Sequence, residues 1–242
     1  MIASKPSEIN PLPGETIDPF MDGRLRIIQS KTGYRFSIDA LLLSDFVTIK
    51  KHDTVVDLGT GCGVIPLSLL AAKPVKHIYC LEIQPDLAFQ AIRNAKLNNL
   101  ENKMSVVIGD MKNLPLLPSS VNVVVCNPPY RQKESGRINP DRQRAIARHE
   151  IHASIEDIIY ASKYLLGTKG RLSLIYPAER LTDLVDKLRQ TGFEPKKLRV
   201  IYPDIGANAK LVLIEAWFAG KNGLRILPPL LGQGNYSIEN QV

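Results

Sequence analysis

The sequence predicts an α/β fold: a doubly wound, mostly parallel sheet of about seven strands that ends in an antiparallel hairpin. Three observations predict it. From residue 54 onward, short runs of Val, Ile and Leu alternate with helical patterns. That is how parallel strands buried on both faces read. A glycine-rich turn, Gly59-Thr-Gly-Cys-Gly63, joins the first of those strands to a helix. Only seven residues (Pro203–Ala209) separate the last two strands. That is too short for a helical crossover, so those strands pair antiparallel.

The elements follow in order. Residues 1–20 carry Pro6, Pro11, Pro13 and Pro19 with little periodicity and read as a mobile, proline-rich arm. Residues 21–242 read as a single domain without internal repeats. Residues 23–30 alternate like a strand, and Ser37 is a candidate N-cap for a helix through Val47, with Asp39 in its first turn. Strands are predicted at 54–58, 77–83, 104–108, 121–126, 171–176, 198–202 and 210–218. A helix follows the glycine turn to about Ala72. Pro85 suits the first turn of a helix running to about Asn99, with Leu87, Ala88, Ala91, Ile92 and Ala95 on one face. Ser154 and Asp157 match a capping box, and Leu181, Leu184, Val185 and Leu188 mark a last helix stopped by Gly192.

Composition bounds the function. A chain of 242 residues can bury a core without staples or metals. The three cysteines have no C-x-x-C spacing, which disfavours a disulfide framework or a cysteine metal site and fits a reducing, cytoplasmic compartment. No metal site is expected. No apolar stretch approaches the ~18 residues that span a bilayer, so no membrane role is expected. The N-terminus lacks the pattern of a secretion signal. The net charge of +7 suggests an anionic partner such as nucleic acid, although a basic surface also serves solubility.

The charge is unevenly placed. Residues 53–130 hold six basic and six acidic side chains. Residues 131–150 hold six basic (Arg131, Lys133, Arg137, Arg142, Arg144, Arg148) against three acidic. Residues 23–36 hold four basic and no acidic side chains, and residues 196–210 hold four against one. Each segment alone also reads as a solvated face.

Two motifs carry chemistry. The loop Asp57-Leu-Gly59-Thr-Gly61-Cys-Gly63 follows a buried strand and opens a helix. Glycines there let the turn close and let a ligand approach the backbone. The same composition also makes a tight turn that binds nothing. A dinucleotide fingerprint needs G-x-G-x-x-G, and position 64 is Val, so a pyrophosphate cofactor is disfavoured.

The second motif, Asn127-Pro128-Pro129-Tyr130, follows the fourth strand of the alternating series. Two prolines cannot continue a central strand, so the chain leaves the sheet there. A rigid strand-ending turn is one reading. The other is an amine clamp. An exocyclic amino nitrogen is a poor nucleophile because its lone pair is delocalised. The Asn127 carboxamide oxygen and the Pro128 carbonyl can each accept one N–H and direct the lone pair. Pro129 stiffens the turn, and Tyr130 can stack on a planar base. In a doubly wound sheet the first and fourth strands flank the switch point, so the two motifs are expected at one crevice.

The D-x-G-x-G-x-G loop resembles the first motif of the Rossmann-like S-adenosyl-L-methionine methyltransferases. That resemblance implies that Asp57, Gly59, Gly61 and Gly63 approach the methionine and ribose portions of the cofactor, which has no phosphate. It implies that Glu82, 25 residues after Asp57 and ending the second strand, accepts hydrogen bonds from a ribose diol. Asp110, at the end of the third strand, would hold the adenine amino group, and Asn127 would border the cofactor. Glu82 also reads as a solvated strand-end acid, and Asp110 as a helix cap.

Together with Asn127–Tyr130 the loop is similar to the branch that methylates adenine N6, guanine N2 or glutamine N5. Gly33–Leu43, Ala147-Arg-His-Glu150, Ala207–Leu213 and the tail Pro228-Pro-Leu…Gly234-Asn-Tyr236 resemble the bacterial tRNA1(Val) adenine-37 N6-methyltransferase family. The resemblance spans nearly the whole chain after residue 20. It implies tRNA as partner, reached through Arg131, Lys133, Arg137, Arg142 and Arg144. Tyr34 and Phe36 would pack over the cofactor or serve as core aromatics. His149 suits a structural hydrogen-bonding role better than that of a general base. Guanine N2 of ribosomal RNA remains open. Protein glutamine also remains open, although that family carries a sizeable helical domain before its core. A nicotinamide oxidoreductase and a non-catalytic RNA-binding module are the readings from other classes. The sequence does not give the oligomeric state.

Overall fold

The computed structural model describes residues 9–31, 38–128 and 153–232. The chain divides into two compact units, Met1–Pro115 and Leu116–Val242. It is a mixed α/β fold with a large, mostly parallel sheet, as the alternating pattern predicts.

The first unit begins with strands β1 (Glu15–Phe20) and β2 (Leu25–Ser30), paired antiparallel from Glu15 opposite Ser30 to Phe20 opposite Leu25. Helix α1 (Ile38–Phe46) follows, then β3 (Thr54–Leu58), α2 (Val64–Ala72), β4 (His77–Glu82), α3 (Pro85–Leu97) and β5 (Met104–Ile108). Strands β3, β4 and β5 are parallel neighbours in that order. Their registers, Leu58 opposite Leu81 and Glu82 opposite Ile108, bring the three carboxyl ends to one edge. Val55, Val56, Leu58, Ile78, Cys80 and Leu81 are buried, as expected of strands covered on both faces. Val64, Ile65, Leu67 and Leu69 of α2 are all buried, so this helix is apolar nearly all round.

The arm expected over residues 1–20 gives way at Glu15 to β1. A distant anchor accounts for the difference. The Arg93 guanidinium of α3 donates to the Glu15 carboxylate at 2.7 Å, and the Gln90 amide donates to it at 3.0 Å. Those partners lie more than seventy residues away, beyond the reach of local periodicity. The face of α3 is corrected in the same way. Ala88, Ala91 and Ala95 are buried as expected, but Gln90 and Asn94 complete the buried face, while Leu87 and Ile92 are only half-buried.

The second unit contains β6 (Val121–Cys126), α4 (Ile155–Leu165), β7 (Leu166–Pro177), a short 3-10 turn, α5 (Leu181–Gln190), β8 (Phe193–Tyr202), β9 (Leu211–Phe218) and two short strands, β10 (Arg225–Ile226) and β11 (Leu230–Leu231). β6 is parallel to β7, and β9 lies antiparallel between β7 and β8, which is the terminal hairpin expected. β10 and β11 both pair parallel to β8. The capping box closes as read. The Asp157 N–H donates to Ser154 Oγ at 3.1 Å, and the Ser154 N–H donates to Asp157 Oδ2 at 2.9 Å.

β7 and β8 each start five residues before the sequence suggests. Both early stretches carry strand-breaking residues, and both contain a register shift, between Val121 and Val123 opposite β7 and between Pro195 and Lys197 in β8. Bulges let glycine and proline stay within a strand. Among the described residues no helix is long and apolar enough to cross a membrane.

Candidate active site

The turn after β3 is built from backbone that alternates in handedness. Gly59, Gly61 and Gly63 have φ of +74°, +57° and +89°. This left-handed region is open to glycine at little cost, so the spacing follows from the turn itself. The Gly59 and Thr60 N–H groups both donate to the Leu81 carbonyl of β4, at 2.9 and 3.1 Å.

The glycines do different work. A Cβ on Gly63 would meet Met104 Cε at 2.7 Å and Ala91 Cβ at 3.4 Å, so this position permits close packing of the loop on α3 and β5. Among the described residues, a Cβ on Gly59 would meet nothing within 4 Å. Gly59 therefore faces open space at the carboxyl edge of the strands.

Three carboxylates stand at that edge. Asp57, within β3, is fully buried. Its Oδ2 accepts from the Thr60 hydroxyl at 2.6 Å, and its Oδ1 has no hydrogen-bond partner among the described residues. Burial pushes its carboxyl up to about 7, against the pull of the Thr60 hydrogen bond and with the neighbouring Glu82 charge adding to the rise. Glu82 closes β4 and is also buried. Its Oε2 accepts the Gly61 N–H at 2.8 Å, and its Oε1 accepts the Ile83 and Gln84 N–H groups at 3.0 and 2.9 Å. The acid thus braces the loop from the adjacent strand. Asp110, two residues past β5, accepts the Lys112 N–H at 2.9 Å through Oδ1 and is half-buried.

This donor set fits a cofactor that is cationic and rich in hydroxyl groups. No lysine or arginine occurs between Asp53 and Ala72, so nothing in the loop offers a counter-charge to a phosphate. Asp57 Oδ1, without a partner among the described residues, and the face of Gly59, open among them, are the features that S-adenosyl-L-methionine, with its positive sulfonium and ammonium, would satisfy. Cys62 sits in the same loop, where burial pushes its thiol up to about 12. Cys62, Cys80 and Cys126 are all buried and unbridged.

In the second unit Asn127 and Pro128 directly follow the carboxyl end of β6, with Asn127 half-buried and Pro128 buried. Pro129, Tyr130, the basic residues Arg131, Lys133, Arg137, Arg142, Arg144 and Arg148, and also Tyr34, Phe36, Ser37 and His149, lie outside the described residues. The basic segment 196–210 is partly internal. Lys196 Nζ donates to the carbonyls of Lys221 and Asn222 at 3.0 and 3.3 Å, and Lys197 lies 3.5 Å from Glu215, with both side chains largely buried. Two groups that shape the loop escape sequence reasoning, Thr60 and Asn94. The only signal for Asn94 is an asparagine at helical spacing from the buried alanines of α3.

Comparison with known proteins bears on this arrangement. A family model described as methyltransferase small domain matches residues 37–181. A Porphyromonas gingivalis protein named tRNA1(Val) (adenine(37)-N6)-methyltransferase is 33% identical over 69% of this chain and 68% of its own length. A Parabacteroides distasonis protein of the same name is 27% identical over 81% of this chain and 82% of its own. Among solved structures, a predicted O-methyltransferase of Agrobacterium tumefaciens superposes with a TM-score of 0.64 at 20% identity, covering 82% of this chain and 90% of that one. The geranyl diphosphate C-methyltransferase of Streptomyces coelicolor, solved with S-adenosyl-L-homocysteine, superposes with a TM-score of 0.56 at 13% identity, covering 74% of each chain.

Proposed function

The chain belongs to the methyltransferase small-domain family, and from that premise we propose that it methylates an exocyclic amino group, adenine N6 of a tRNA, using S-adenosyl-L-methionine. The observation that carries this reading is Asn127-Pro128 placed directly after the carboxyl end of β6. The names of the relatives support tRNA as the substrate class. The net charge of +7 supports a phosphate-bearing partner.

Each group has a task. S-adenosyl-L-methionine supplies an electrophilic methyl on a positively charged sulfur, so the acceptor needs no strong base. Gly59 and Gly61 admit the cofactor to the backbone, Asp57 and Glu82 offer it hydrogen-bond acceptors, and Asp110 serves its adenine end. The Asn127 carboxamide oxygen and the Pro128 carbonyl each accept one N–H of the target amine. That fixes the nitrogen and aims its lone pair. Tyr130 stacks on the base, Tyr34 and Phe36 cover the cofactor, and the surplus proton leaves to solvent. Arg131, Lys133, Arg137, Arg142 and Arg144 hold the RNA backbone, in the cytoplasm where tRNA is found.

The test offers labelled cofactor to total tRNA, ribosomal RNA and ribosomal proteins, then identifies the product. N6-methyladenosine in tRNA is expected. N2-methylguanosine in ribosomal RNA or N5-methylglutamine in protein would replace the substrate assignment and keep the chemistry. Asn127→Ala is expected to keep cofactor affinity and lose turnover by about a hundredfold or more. Near-normal turnover removes the amine clamp.

A further inference from the structure

Asn94 on α3 is fully buried. Its Oδ1 accepts the Ile28 N–H at 2.6 Å, and its Nδ2 donates to the Ile28 carbonyl at 3.1 Å. One helical turn later Asn98 does the same with Arg26, accepting its N–H at 2.9 Å and donating to its carbonyl at 2.7 Å. Four helical residues rise about 6 Å, close to the two-residue repeat of a strand. Two side-chain amides thus reproduce the ladder that a third strand would make along β2.

Each amide makes one further bond. Asn98 Nδ2 donates to the Asn94 carbonyl within the helix, at 2.8 Å, whereas Asn94 Nδ2 reaches out of the helix to the carbonyl of Cys62, at 2.8 Å. Cys62 stands between Gly61, whose N–H is held by Glu82, and Gly63, which packs on Met104. Clamping β2 to the helix needs only the pair of bonds that Asn98 also makes. The bond to Cys62 is additional and fixes the middle of the loop.

We propose that Asn94 is a positioning residue for the glycine loop: the amide that clamps β2 also holds Cys62, and this one bond sets how tightly the loop holds the cofactor. This rests on the reading of that loop as the cofactor site. A turn with three left-handed glycines has little stiffness of its own. Order imposed before binding is entropy that binding does not have to remove. Loss of the Cys62 bond transfers that cost to the binding step and leaves the amine-holding residues untouched.

The experiment compares Asn94→Ala, Asn94→Ser and Asn94→Asp with Asn98→Ala. The aspartate keeps the size and the acceptor for the Ile28 N–H but lacks both donors. The serine keeps one hydroxyl donor. Asn98→Ala loosens the hairpin without touching the loop. Calorimetry gives the Kd for S-adenosyl-L-methionine, and initial rates give its KM and kcat. Asn94→Ala and Asn94→Asp are expected to raise Kd and cofactor KM about tenfold, the worth of one net buried hydrogen bond. Their kcat at saturating cofactor is expected to stay within about twofold, and serine to recover part of the affinity. Asn98→Ala is expected to lower thermal stability but hold Kd within about twofold.

Three results overturn the proposal: an unchanged Kd in the Asn94 variants, an equal weakening by Asn98→Ala at equal loss of stability, or failure of every Asn94 variant to fold while Asn98→Ala folds. A wild-type protein that binds no S-adenosyl-L-methionine, or one whose Gly59→Val variant binds it normally, overturns the reading of the loop instead.

Discussion

Asp57→Asn isolates the cost of a buried carboxylate at the loop. The Asp57 carboxyl is fully buried, and burial raises it from 3.8 to about 7. A gap of about three pH units corresponds to ~4 kcal/mol, or ~1.4 kcal/mol for each unit. The unfolded chain releases this proton near 3.8, while the folded chain keeps it until about 7. Between those values the folded state binds one more proton, so stability falls as pH rises and levels off above about 7. The carboxamide stays neutral throughout, and its oxygen can still accept from the Thr60 hydroxyl.

The variant's stability relative to wild type should therefore climb by ~1.4 kcal/mol per unit from about pH 5 to about pH 7, then stay constant. Denaturant unfolding of the cofactor-free protein at unit pH intervals reads this directly. Subtracting the two curves cancels the titrating groups that do not interact with Asp57. Parallel curves across that range would refute the reasoning: they would mean that Asp57 is already ionised in the folded chain.

Two further predictions rest on local geometry. Gly63→Ala places a Cβ 2.7 Å from Met104 Cε at a φ of +89°, and should cost ~2–4 kcal/mol in unfolding free energy. Gly59→Ala, with a similar φ but open space around it, should cost only ~1–2 kcal/mol, so equal losses would contradict the packing account. Ser154→Ala removes the capping box at the start of α4 and should cost about 1 kcal/mol. An unchanged unfolding midpoint would show that this cap is idle.

Elements whose own residues determine them were legible in the sequence. β3, β5 and β6 occupy the residues that their apolar runs predict, and α4 starts where its capping box sits. Elements that depend on a distant partner were not. β1 relies on Arg93 and Gln90 of α3, and the two-residue strands β10 and β11 form along β8 from largely exposed residues with no periodicity to reveal them. The early parts of β7 and β8 were obscured because bulges accommodate residues that otherwise end a strand. At the site, Asp57, Glu82 and Asp110 stand near the carboxyl ends of their strands as their spacing implied. The division of labour among the glycines depends on Met104 and Ala91, which no loop motif encodes. Asn94 was hidden by its helix, where a single asparagine among alanines reads as an exposed position.

The buried thiol of Cys62 has a consequence for self-protection. A sulfonium methyl donor alkylates a thiolate readily, and a cysteine occupies the middle of this loop. With its thiol pushed up to about 12, Cys62 carries essentially no thiolate near neutral pH. It is therefore a poor nucleophile near neutral pH. The burial that lets the loop pack closely also makes the sulfur beside it an inert bystander.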